Sequence, residues 1–156
     1  NQFPNSSTDN VFFSSDAREI VSNRATPYFP WIKGKLMIDL TYTNGDYFYA
    51  CNGFHLTLNE FVNWNKRLKN NELISEDSKK QMWQLFPYLN SDKAFSYGWE
   101  ASTFNEKQAF GFSGAMCTFY RIYPSENLSV IFLSNGFSNM YNQDAFTDAL
   151  VEMVLK

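Results

Sequence analysis

The sequence contains one histidine, two cysteines and no cluster of basic residues, and each shortage removes a class of function. With His55 as the single imidazole and Cys51 and Cys117 outside any C-x-x-C spacing, a zinc site lacks a set of ligands to draw on. The two cysteines read as buried free thiols; a disulfide is the alternative, and only their separation decides between them. Lys and Arg number 13 against 16 Asp and Glu, and the basic residues are scattered, so nothing points to a nucleic-acid or membrane-binding surface. No apolar run approaches the roughly 18 residues of a transmembrane helix. The start, Asn1-Gln2-Phe3-Pro4-Asn5, has neither the basic nor the apolar segment of a signal peptide. Asp16, Glu19, Asp39, Glu60 and Asp148 are isolated carboxylates without paired spacing, which leaves neither a glycosidase pair nor a metal cluster. No cofactor is expected.

The chain does have large side chains: 19% of its 156 residues are aromatic, enough to demand one sizeable core. Residues 1–20 read as a loop or extended segment, with a short helix possible only from Asp16 to Asn23, before Pro27 and Pro30 impose extended geometry around Tyr28 and Phe29. A hairpin is expected over 36–50, turning at Asn44-Gly45. Thr57-Leu58-Asn59-Glu60 has the form of a capping box and predicts a helix over about 57–69, with Leu58, Phe61, Val62 and Leu68 on one face and a stop at Asn70-Asn71. Ser75 caps a second helix, about 76–85, carrying Met82, Trp83 and Phe86 up to Pro87. Strands near 95–101, 109–113, 117–123 and 128–134 form an antiparallel meander with a turn at Pro124-Ser125-Glu126-Asn127. The run Leu128, Val130, Ile131, Phe132, Leu133 is apolar on both faces and reads as a central strand. A final helix, about 142–155, presents Ala145, Phe146, Ala149, Leu150, Met153 and Val154 to that sheet. The expected class is α+β: an antiparallel sheet covered by a C-terminal helix.

Gly111-Phe112-Ser113-Gly114 is the segment most suggestive of chemistry, because a small hydroxyl residue between glycines lets a ligand approach the backbone closely. It is not a nucleophile elbow, since Ala115 occupies the place of the last glycine and a strand follows. The S-x-x-K pair, in which a lysine one helical turn away takes the serine proton, occurs nowhere in the chain. Y-x-N occurs at Tyr42-Thr43-Asn44 and Tyr88-Leu89-Asn90, in a Tyr- and Asn-rich chain where such triplets arise by chance; both read as turn or strand residues. His55, just before a helix cap and without an acidic neighbour, reads as structural.

Taken in order, the segments of residues 21–156 resemble the C-terminal part of the β-lactamase-like serine hydrolases, the group of class C β-lactamases, D-alanyl-D-alanine carboxypeptidases and related esterases. Asn23-Arg24-Ala25-Thr26-Pro27-Tyr28 is similar to the group's A-x-G-Y segment with Pro27 in place of glycine. Ala50-Cys51-Asn52-Gly53-Phe54 with Thr57, Glu60 and Phe61 resembles its A-x-G-G-L-x-S-T-x-x-D-L helix start, and Leu73-Ile74-Ser75 to Met82 its next helix. Tyr97-Gly98-Trp99 resembles Y-G-x-G-W, and Gly111 to Asn135 resembles the run from G-H-S-G-G to L-S-N, including Pro124 and Leu133-Ser134-Asn135.

The resemblance implies a partial β-lactamase/transpeptidase-like fold. Its third active-site motif, K-T-G or H-S-G, falls on Phe112, Ser113 and Gly114, and the amide of Ala115 would be an oxyanion donor. Phe112 stands where the group has a cation or proton donor. The nucleophile and its lysine belong to polypeptide upstream of the matched region, so this chain has no catalytic residue of its own. Two readings follow: a C-terminal fragment of a serine hydrolase acting by acyl transfer on an amide or ester, or a non-catalytic pseudoenzyme that binds cell-wall peptide or a protein partner. The implied partner is the missing N-terminal portion. The implied compartment is periplasmic or extracellular. The strand 128–134 would pair on one side with a strand absent here, leaving an edge for residues 1–15, a second copy or a swapped element to cover.

Overall fold

In the computed structural model, which describes residues 11–13, 20–30, 35–38, 54–87, 94–114, 117–136 and 143–154, the turns dictate the architecture. The elements are β1 (Phe12–Phe13), β2 (Tyr28–Pro30), β3 (Leu36–Ile38), β4 (Phe54–His55), α1 (Leu58–Lys69), α2 (Glu76–Met82), β5 (Phe86–Pro87), β6 (Ala94–Ser96), β7 (Trp99–Phe104), β8 (Lys107–Ser113), β9 (Phe119–Tyr123), β10 (Leu128–Phe132) and α3 (Gln143–Val154). Tyr97–Gly98 (φ 40° and 87°) and Asn105–Glu106 (φ 46° and 64°) are two-residue loops closed by Ser96↔Trp99 and Phe104↔Lys107. Two successive positive φ angles give the turn whose twist matches that of paired strands. A single 3-10 turn over Pro124–Glu126, ended by Asn127 at φ 51°, joins β9 to β10. The result is a six-stranded antiparallel sheet in the order β10-β9-β8-β7-β6-β5.

The class is therefore α+β, as expected, with corrected boundaries. The strand expected at 95–101 is two strands, because Tyr97 turns the chain at a positive φ that costs a tyrosine about 1–2 kcal/mol. Its ring packs edge-on against Phe86 at 5.7 Å. Leu36–Ile38 pairs with Tyr28–Pro30; the rest of the hairpin expected over 36–50, including Asn44-Gly45, lies outside the described residues. Ser22–Asn23 is a turn rather than a helix end, and residues 14–19 also lie outside. β10, expected as central, is an end strand among the described residues. Helices do cover it on both faces, which explains its two-sided apolar pattern, but β9 is its lateral partner.

The inner face of the sheet carries Trp99, Ala101, Phe110, Tyr120 and Ile122, closed off by Phe61 and Leu68 of α1 and by Trp64, Met82 and Trp83. Trp83 lies flat on Phe110 at 5.2 Å, and Phe61 meets Tyr120 at 5.0 Å. Thr57 Oγ1 accepts from the Glu60 amide and Ser75 Oγ from the Ser78 amide, so both predicted caps form. α2 stops at Met82, short of 85, because Phe86–Pro87 joins the sheet as β5. On α1 the buried residues are Phe61, Asn65 and Leu68, while Leu58 in the first turn faces out. Asn65 is the polar member of that face: its Oδ1 accepts from the Tyr120 hydroxyl and from Ser129 Oγ, tying α1 to β9 and β10. Burial pushes the Tyr120 phenol above its ordinary pKa and keeps it a donor.

On the outer face Ala109, Tyr123 and Val151 form a second core with Phe104, Leu128 and Val130. α3 turns Thr147 and Val151 onto the sheet; Ala145, Phe146, Ala149, Met153 and Val154, expected there, are exposed. An all-apolar helix face gave no way to tell which side the sheet would take. Phe146 still reaches Phe119 and Phe132 with its ring edge, at 6.2 and 5.1 Å.

Two outcomes follow from the turn and the polar tie. Glu106→Gly, which supplies the favoured Asn-Gly turn at an exposed position, is expected to raise unfolding free energy by about 1 kcal/mol in urea titrations. Asn65→Ala strands the buried Tyr120 hydroxyl and the half-buried Ser129 hydroxyl and is expected to lower it by about 2 kcal/mol.

Candidate functional site

β8 outruns its neighbour at one end. Its pairing with β7 stops at Glu100↔Gly111, whereas pairing with β9 continues to Ser113↔Phe119. The Gly114 amide then bonds to the Thr118 carbonyl at 2.7 Å. Phe112, Ser113 and Gly114 thus form a strand end open on the β7 side, with alternate side chains on opposite faces.

Phe112 points to the inner face and is 37% exposed. Its ring stacks on Phe61 at 6.2 Å and 13°, and meets Trp99 and Tyr120 at 6.4 and 5.7 Å. Ser113 points to the outer face, where Arg121 Nη2 donates to its Oγ at 2.7 Å. The same nitrogen pairs with Glu100 Oε2 at 3.1 Å, and Nη1 donates to the Tyr120 carbonyl at 2.9 Å. Arg121 is 4% exposed. A buried guanidinium of this kind persists because each contact answers its desolvation.

The two glycines differ. A Cβ on Gly111 would lie 1.7 Å from the Tyr120 carbonyl oxygen, so Gly111 is fixed by backbone packing. A Cβ on Gly114 would meet Thr118 at an ordinary 3.7 Å, leaving room beside the strand end. Of the expected site residues, Phe112, Ser113 and Gly114 lie together; Ala115 is outside the described residues, as are both Y-x-N triplets.

Chemically, arginine only donates hydrogen bonds, so Ser113 Oγ accepts from it and keeps its own proton for an acceptor arriving from the open side. The side chain bonded to Ser113 Oγ is thus a donor, where activation of a serine nucleophile calls for a neighbour that accepts its proton. His55 sits in β4 against Phe12, and Glu60 and Asp148 are on separate helices. No group of three metal-binding side chains occurs among the described residues, and none of their helices is long and apolar enough to cross a membrane. Cys117 is half-buried at φ 54°, and Cys51 lies outside. Arg121 and Glu100 are the site members that sequence reading missed. The available signal was one arginine in the otherwise apolar run Phe119–Tyr123.

With this geometry in hand the fold can be placed. No family model and no curated protein matches the chain. Two solved structures share its fold, a penicillin-binding protein from Bacillus halodurans and an octameric penicillin-binding protein homologue from Pyrococcus abyssi. The first has 18% identity and a TM-score of 0.72 over 90% of this chain and 44% of that one. The second has 15% identity and the same TM-score over 92% and 34%. The chain has a penicillin-binding-protein and β-lactamase-like fold and spans less than half the length of either neighbour.

The contrast between the glycines is directly measurable. Gly111→Ala is expected to cost about 3 kcal/mol or more of stability, since backbone must move, while Gly114→Ala leaves the melting temperature unchanged.

Proposed function

We propose that this chain supplies one wall of an acyl-transfer pocket of the penicillin-binding-protein type, acting on an amide or ester, and does not catalyse that reaction by itself. The observation that carries the reading is the open end of β8, where Ser113 is oriented by Arg121 and backs onto Phe112. Phe112, Ser113 and Gly114 are its substrate-binding residues, with the Ala115 amide as an oxyanion donor. The attacking serine and its lysine come from polypeptide outside this sequence, which is the first partner the reading requires. The fold neighbours, more than twice as long, are compatible with such a portion. Self-association through the 128–134 edge is a second form of partnership, compatible with the octameric state of the Pyrococcus abyssi homologue. A periplasmic or extracellular site of action fits this reading.

The competing reading is a binding module that lost catalysis in the whole protein as well. One observation favours it: the position that should hold a cation or proton donor carries a phenyl ring stacked on Phe61. Loss of one preorganised electrostatic contact costs about a hundredfold or more in rate.

Nitrocefin turnover and labelling by a fluorescent penicillin test both. The chain alone is expected to give no turnover and no covalent adduct, whereas its parent gene product gives an adduct that disappears when an upstream serine is replaced. An adduct on Ser113 in the chain alone would contradict the proposal; an unlabelled parent protein favours the binding module.

A further inference from the structure

The charges around Ser113 are balanced within the protein. Arg121 is the cation whose bonds reach Ser113 among the described residues, and its Nη2 is shared between Ser113 Oγ at 2.7 Å and Glu100 Oε2 at 3.1 Å. The Arg121 side chain is 5% exposed and that of Glu100 29%, so water screens the pair poorly and the carboxylate cancels most of the guanidinium's field. A second carboxylate received by the Ser113 hydroxyl would come up near Glu100, which shares the Arg121 nitrogen with Ser113, and meet like charge. What remains at the strand end, among the described residues, is an O–H donor without net positive charge. The preceding residue, Phe112, lies on the opposite, inner face, where its partly exposed ring extends the aromatic layer of Phe61, Trp99 and Tyr120, so a ligand meets both residues only by lying across the edge of β8 on the β7 side. An apolar group binds such a surface by area, and a carbonyl satisfies the hydroxyl without charge.

We propose that the end of β8 selects a neutral ester or amide carbonyl joined to an aromatic or apolar group, and discriminates against ligands that present a free carboxylate there. This rests on the reading of Phe112–Gly114 as a pocket wall and specifies what that wall accepts. Glu100 acts as a specificity-determining residue without touching the ligand, by neutralising Arg121. Phe112 acts by contact.

The test is a matched pair of probes, N-acetyl-phenylalanine methyl ester and N-acetyl-phenylalanine, titrated into the full chain at neutral pH with ligand-observed NMR. The ester is expected to bind about tenfold or more tightly than the acid, and Ser113→Ala to weaken it. Phe112→Lys places a cation at a partly exposed position, and Glu100→Gln leaves Arg121 uncompensated. Each is expected to shift the ester-to-acid ratio about tenfold toward the acid, with far-UV dichroism confirming the fold. Either variant suffices if the other fails to fold. Equal or tighter binding of the acid by the unmodified chain, or a ratio that neither variant moves, overturns the neutral-ligand proposal alone. Binding of neither probe, or binding indifferent to Ser113→Ala, overturns the pocket wall as well.

Discussion

One buried guanidinium organises the end of β8. Arg121 ties β9 to β8 through Ser113, to β7 through Glu100, and to its own backbone through the Tyr120 carbonyl. That carbonyl in turn occupies the space a side chain at residue 111 would need, so the arginine, the close approach of β8 to β9 and the glycine form one constraint. A side chain at residue 111 brings a backbone clash, and loss of Glu100 leaves the buried guanidinium without its counter-charge, each a large fraction of a domain's net stability.

The same arrangement separates orientation from activation. Arg121 constrains the Ser113 oxygen by donating to it, whereas activation of a serine nucleophile calls for a neighbour that accepts a proton. Phe112 continues the logic on the other face. Its ring belongs to the packed layer of Phe61, Trp64, Trp99 and Tyr120, so the residue that faces the inner side serves both core and surface.

Local chemistry was legible in the sequence wherever one residue decides one bond. Thr57 and Ser75 announce helix starts because a hydroxyl at that position has an amide to satisfy, and Pro124 with Asn127 announces the turn before β10. Phe112 to Gly114 were legible as a group by motif. What escaped was set by tertiary contact. Tyr97 turns at positive φ against its own preference, α2 stops early because Phe86–Pro87 finds β6, and the helix face taken by the sheet is Thr147 and Val151 rather than the more apolar side. Arg121 and Glu100 sit on different strands, and only their pairing through Gly111 makes them neighbours. Among the described residues α3 keeps apolar side chains facing outward and β10 has no strand on its other flank, in a chain that spans less than half the length of either structural neighbour.

The central claim is that Arg121 holds the Ser113 hydroxyl, and a double-mutant cycle measures that bond without reference to any ligand. Ser113→Ala, Arg121→Met and the double variant, unfolded in urea, are expected to give a coupling of about 1.5–3 kcal/mol, the worth of a hydrogen bond to a charged group. A coupling near zero means that the two side chains do not meet, and the oriented-hydroxyl account falls with it.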